Sequence, residues 1–437
     1  MSLESPLVGC SATRCLVLFA LLMSGVVTGL PSLVGQSAGK RVKEIRISEL
    51  KYTKRETVVR ELASRVGEAF RSENIEKDKE RLDRLGIFSS IEIQAIEDND
   101  EIVIDIEVKE TLPYLPMLSI EVTDENGVSV GPGVRAVNLF GRAVRLNASI
   151  RFGGATNAEV RLTDPWFAGE HISYDLHFFQ RDRENTLDDF HEVSSEINGR
   201  LGRYLGDNGR LGGRLGYLSL GSDRDGVTLS DDNRDNIPSA GLFLGYDNRD
   251  LVTDTHRGWW NEFDMSKNSG DADYWTFIFD VRRYQPIAQR HTLALFSLLT
   301  LQTGEVGEDI PIYMDFHIGG TNTIRGWDLG ARSGKNQFIN TVGYRYSLVK
   351  PRPFKVFGTQ LHLGLQLAAF GDFGSAWDES KEFKWDNFID GYGFGLRLLV
   401  PFVDMIRMDF GWGEPGGGLR FHFALFEKPV MQRSRVR

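Results

Sequence analysis

Two hydrophobic periods divide the chain. Between Lys40 and Glu110 the spacing is mixed. Val42, Ile45 and Ile47 make a short strand-like piece, and Thr53-Lys54-Arg55-Glu56 has the form of a capping box opening a helix. Val58, Val59, Leu62 and Val66 continue it at helical spacing, and a second helix is predicted over Ile75–Leu85, with Leu82 and Leu85 inward and Gly86 as its stop. Two strands follow. Ile91, Ile93 and Ala95 alternate with Glu92 and Gln94, then Ile102, Ile104, Ile106 and Val108 alternate with Val103, Asp105 and Glu107. The order β-α-α-β-β predicts a small α+β domain. A sheet of that kind has an unpaired edge that can accept an extended strand.

From Pro113 onward the period is two. Val144, Leu146, Ala148, Ile150 and Phe152 alternate with Arg145, Asn147, Ser149 and Arg151. Trp275, Phe277, Phe279 and Val281 alternate with Thr276, Ile278, Asp280 and Arg282, and Leu419, Phe421, Phe423 and Leu425 with Arg420, His422 and Ala424. Charges at every second position suit a closed barrel, whose polar face lines a wet lumen while the apolar face meets lipid. About 16 candidate strands lie between Met117 and Phe426. Trp166, Phe167, Trp259, Trp260, Trp377 and Trp412 stand at strand ends, as interfacial girdles require. The fold class is therefore mixed: a small α+β domain over residues 40–110, then an all-β transmembrane antiparallel barrel of about 16 strands over 113–426, with a tail at 427–437. A soluble β-sandwich or propeller is the alternative, although no blade repeat is present.

Composition sharpens this picture. The 437 residues include 47 Gly and 28 Phe, and mean hydropathy is slightly negative, which excludes a helical membrane protein but not a barrel. A net charge of −10 argues against a nucleic-acid partner. Arg14 and the apolar run Cys15–Val27 resemble a secretory signal, since a membrane helix needs ~20 apolar residues. Cleavage of residues 1–38 would remove Cys10 and Cys15, leaving no thiol for a disulfide or metal site. A membrane anchor is the other reading of that run.

Patterns for catalysis are weak. Gly35-Gln36-Ser37-Ala38-Gly39 matches a nucleophile elbow but follows no buried strand. The eight histidines are dispersed without ligand spacing, and only His177 or His191 with a serine and an acid would suit a membrane hydrolase. Neither enzymatic activity, a cofactor nor a metal is expected.

Five motifs carry a resemblance. They are Asn138-Leu139-Phe140-Gly141-Arg142 with Arg145-Leu146; Asp164-Pro165-Trp166-Phe167; Tyr246-Asp247-Asn248-Arg249-Asp250 with His256-Arg257-Gly258-Trp259; Gly319-Gly320-Thr321-Asn322-Thr323-Ile324-Arg325-Gly326-Trp327; and Phe370-Gly371-Asp372-Phe373-Gly374. Their order resembles the BamA-type outer-membrane assembly family. Leu85-Gly86-Ile87-Phe88-Ser89-Ser90-Ile91 and the β-α-α-β-β order likewise resemble a polypeptide-transport-associated (POTRA) domain.

The resemblance implies a long loop folded into the lumen, its tip Ile324-Arg325-Gly326-Trp327 latched to the wall at Asp372 and Gly374. Chemistry agrees: the Gly-rich stretch Thr303–Gln337 is too long for a turn, and a guanidinium in a narrow lumen favours a bidentate carboxylate. The family pattern places a glutamate where Gly343 stands, so Asp372 is expected to pair with Arg325 alone. Family barrels also end at an aromatic residue, whereas Glu427–Arg437 continue past Phe426, which would make the assembly signal internal.

By the same resemblance the protein resides in the bacterial outer membrane, its POTRA-like domain in the periplasm. Its partners are client outer-membrane or secreted polypeptides, periplasmic or lipoprotein partners at the POTRA-like domain, and outer-membrane lipid. It is expected to insert polypeptides by opening the seam between its first strand, Leu118–Thr123, and its last, Leu419–Leu425, and templating client strands at the unpaired edge. A two-partner secretion pore, a passive porin and a lipid-hydrolysing barrel are the rivals. The secretion pore is disfavoured because its relatives carry two POTRA domains and a plug helix, for which this chain has no room.

Overall fold

The structure, a computed structural model, describes residues 40–168, 171–250, 254–356, 359–400 and 404–425. The expected signal segment and the tail from Phe426 onward lie outside these residues.

The N-terminal unit comprises β1 (Arg41–Ile47), α1 (Arg55–Val59), α2 (Ser72–Arg84), β2 (Phe88–Asp98) and β3 (Glu101–Glu110). The central strand is β3, parallel to β1 and antiparallel to β2. Its Ile102, Ile104 and Ile106 share a core with Val58, Leu62, Leu82 and Leu85. α2 starts three residues before the predicted Ile75 and stops at Gly86, whose φ of 67° is the left-handed C-terminal stop that glycine adopts readily.

α1 departs further from expectation. It is five residues long, and Val66 is exposed. The capping box does not form. Thr53 Oγ1 instead accepts a bond from Asn138 of the barrel (2.8 Å), and the Glu110 carboxylate accepts the amides of Lys51, Tyr52 and Thr53. Buried Asp78 ends the helix by accepting the amides of Ala63 and Ser64, which a longer helix would have bonded internally.

This unit sits directly on the barrel. The carbonyl of Gly141 accepts from Lys54 N (2.9 Å) and Thr57 Oγ1 (2.8 Å), Arg145 donates to the carbonyls at the end of α2, and Ala143 enters the domain's core. The Asn138–Arg142 motif is thus a docking turn.

The barrel sheet has 16 antiparallel strands, from Tyr114–Thr123 to Arg420–Leu425. The first strand is ten residues long and begins four residues before the predicted Leu118. Alternation places Leu118, Ile150, Phe152, Leu215 and Phe421 on the exposed outer face. Inward-facing charges pair across strands: Arg214 with Asp264 (3.0 Å), Arg183 with Glu192 (2.8 Å) and Arg151 with Glu159 (3.4 Å). Two aromatics leave the predicted girdle. Trp260 lies beneath inward-facing Arg282, and Trp377 is buried against Phe383. Among the described residues the first and last strands approach within 8 Å, Cα to Cα, yet share no hydrogen-bonded ladder.

Candidate functional site

The segment between the strands His291–Gln302 and Asn336–Val356 folds inward and carries a short hairpin, Phe316–Ile318 with Arg332–Gly334. Its tip is pinned by both apolar and ionic contacts. Ile324 is fully buried with Ile339, Ala376 and Ile389 of the wall. Gly374 leaves the room for it: a Cβ there would lie 3.2 Å from Ile324 Cδ1 and 2.5 Å from the Phe338 carbonyl oxygen.

Arg325 is 5% exposed. Its Nε and Nη2 donate to the two oxygens of Asp372, each at 2.7 Å, and its backbone amide donates to the same carboxylate at 3.0 Å. Thr341 Oγ1 orients Asp372 at 2.8 Å. The guanidinium also lies over the Phe370 ring, 3.4 Å from its centroid.

Asp372 does not act alone. Arg325 Nη1 donates to Asp409 at 2.7 Å, and Asp409 accepts Arg397 (2.5 Å) and faces Arg407 (3.3 Å). Sequence reading missed Asp409, which supplies the second carboxylate from a different strand, Asp404–Trp412. Its only sequence signal is the alternation of Arg407 and Asp409 with Met408 and Phe410. Gly343 faces the space beside Arg325, lined also by Asp280, Arg282 and Arg345.

Gly326 has φ of 92°, and a Cβ on it would stand 2.4 Å from the Trp412 carbonyl carbon, so only glycine suits this position. Its amide donates to His422 Nε2 (2.9 Å), and its carbonyl accepts Glu414 N (3.1 Å). Trp327 Nε1 donates to the Asp390 carbonyl at 2.7 Å. The six residues expected at the latch therefore gather in one place, joined by Asp409 and His422.

The two candidate hydrolase histidines are engaged by carboxylates: His177 with Glu159 (3.1 Å), and His191 with Glu184 (2.8 Å) and Asp182 (3.2 Å). Among the described residues no group of three or more His, Cys, Asp or Glu side chains is placed to hold a metal.

A 16-stranded barrel with a docked α+β unit and an inward, arginine-tipped loop defines a class of outer-membrane barrel. The Omp85 superfamily domain matches residues 138–425, and the POTRA family, described as surface antigen variable number repeat, matches residues 40–111. The chain belongs to the Omp85 superfamily. It is 25% identical over 401 residues to the outer membrane protein assembly factor BamA of Nitratidesulfovibrio vulgaris, covering 85% of this chain and 49% of that protein.

Among solved structures it is similar to BamA from Haemophilus ducreyi lacking POTRA domains 1–3, with TM-score 0.60, 16% identity, and 89% of this chain and 83% of that one covered. It is also similar to CdiB from Escherichia coli, with TM-score 0.61, 13% identity, and 88% and 75% covered. The chain spans about half the length of the curated relatives it matches. It is an outer-membrane protein with its POTRA domain in the periplasm.

Proposed function

We propose that the protein assembles other polypeptides into the outer membrane, admitting them through the seam between its first and last strands without covalent chemistry. The seam, closed without a strand ladder among the described residues, carries this reading. Among the described residues the two edges share no ladder, and such edges offer N–H and C=O groups that an incoming strand can satisfy inside lipid. The Arg325–Asp372–Asp409 latch serves as the fixed wall against which the seam moves. Its six residues, Ile324, Arg325, Gly326, Trp327, Asp372 and Gly374, hold the inward loop in place.

The POTRA domain supports delivery to that seam. Residues 67–70 bond along part of the outer edge of β1, whereas β2 is the opposite edge of the sheet. β2 is the strand along which a client or periplasmic partner would pair by β-augmentation.

Joining the first and last strands by a cysteine pair tests the mechanism, with Cys10 and Cys15 replaced by serine. An efficient disulfide requires Cα atoms within ~7 Å. Cross-linked protein in liposomes should fail to assemble client barrels, and reduction should restore assembly. Assembly at the normal rate with the seam locked would overturn lateral opening and favour a route through the lumen, as in a secretion pore.

A further inference from the structure

The inward loop touches both sides of the seam through one residue. Thr321 lies four residues before Arg325. Its backbone amide donates to Asp124 Oδ2 (2.7 Å) and its hydroxyl donates to Asp124 Oδ1 (2.5 Å). Asp124 immediately follows the first strand, Tyr114–Thr123. Thr321 Oγ1 is also 3.1 Å from Nδ1 of His422, on the last strand.

Donor accounting sets the direction of the chain. The Gly326 amide can only donate, so His422 Nε2 accepts and bears no proton. The neutral ring then carries its proton on Nδ1 and donates it to Thr321 Oγ1, leaving the hydroxyl proton for Asp124. The neighbouring turn is itself anchored: Glu125 accepts the Thr186 amide (2.9 Å) and pairs with Arg183. Thr321 and His422 are both at most 5% exposed.

We propose that Thr321 is a clasp across the seam, holding the first strand through Asp124 and the last through His422, and that its release precedes opening. The loop thereby does two jobs. The Arg325 latch fastens it to the wall, while the clasp bridges the two strands, which share no ladder among the described residues. The two are linked, because Arg407 donates to the Thr321 carbonyl and faces Asp409. Losing the latch should therefore loosen the clasp, whereas losing the clasp should leave the latch in place. That the clasp matters for assembly rests on lateral opening as the function; that it holds the seam does not.

The seam is read directly by electron–electron distances between spin labels at Leu118→Cys and Phe421→Cys, two exposed outer-face positions on the first and last strands. The full chain is used in liposomes, with Cys10 and Cys15 replaced by serine. The protein with Thr321 and Asp124 intact should give one narrow distance. Asp124→Ala, which removes two bonds to a charged acceptor, should raise a longer-distance population about tenfold. Thr321→Val should raise it several-fold, and Thr321→Ser, which keeps the hydroxyl, should restore the narrow distribution.

Protease resistance of Thr303–Gln337 should persist in all three variants, because Arg325 remains latched. Should Asp124→Ala fail to show the gel shift of a folded barrel, the Val and Ser pair at Thr321 decides by itself. Unchanged distances in folded Thr321→Val, or a Thr321→Ser protein as open as the Val variant, would overturn the clasp. An open seam in Thr321→Val with unaltered client assembly would leave the clasp standing and count against lateral opening instead.

Discussion

At the scale of single residues, the latch turns on how poorly a guanidinium is solvated inside a barrel. Arg325 gives three bonds to Asp372, counting its amide, and one to Asp409. Asp372 was legible in the sequence because Phe370-Gly371-Asp372-Phe373-Gly374 stands as a motif. Asp409 was not, because an aspartate between Met408 and Phe410 looks like any lumen-facing position of an alternating strand. Only the pairing of three successive strands, which sets Asp409 two strands along from Asp372, brings it to Arg325. Breaking a buried pair by removing one partner costs about 3–5 kcal/mol, since the remaining charge is stranded. Arg325→Ala and Asp372→Ala should therefore each expose Thr303–Gln337 to protease, and the double variant should be less than additive. Asp372→Ala should be the milder of the two, as Asp409 still holds the guanidinium. Strict additivity would show that the pair is not coupled in the membrane.

Among elements, the informative case is the short helix α1. Thr53-Lys54-Arg55-Glu56 carries a capping signal, yet tertiary partners outcompete the local one: Asn138 takes the Thr53 hydroxyl and Glu110 takes the amides ahead of the helix. Such competition is invisible to a reading of neighbours in sequence, whereas the barrel strands, whose signal is their own alternation, were legible almost throughout. Glu110 gives this junction a pH dependence. Burial pushes its carboxyl up, but bonds from the Thr53 side chain and the amides of Lys51, Tyr52 and Thr53 outweigh that and hold it below the usual carboxylate range. A depressed folded pKa means that the stabilisation is complete above the unfolded value, about 4.3, and disappears as pH falls through the folded one. Protection of the Lys51–Thr53 amides against hydrogen exchange, corrected for intrinsic rates, should accordingly fall below about pH 4. Glu110→Gln should weaken protection at neutral pH by about 1 kcal/mol, a low figure because the carboxylate is solvent-accessible, and should abolish the pH dependence. An acid transition unchanged in Glu110→Gln would assign it to another group.

For the molecule as a whole, the decisive feature is that the lumen is occupied by its own chain. A porin leaves an aqueous channel because its interior is lined but not filled. Here the inward loop reaches from the strands flanking it to Asp390, Glu414 and His422, and to Asp124 at the start of the barrel. Ions crossing the lumen must pass this loop and the charge pairs around it. In planar bilayers the protein should therefore show low, intermittent conductance. Arg325→Ala removes the ionic anchor while leaving the strands untouched, so it should raise both the conductance and the fraction of time spent open. Asp124→Ala and Thr321→Val, which release only the seam contact, should change conductance little because Arg325 still holds the loop tip inside. This ordering separates the occupied barrel from a passive pore. A large, steady conductance already present before any substitution, and indifferent to Arg325→Ala, would mean that the loop does not occupy the lumen in the membrane.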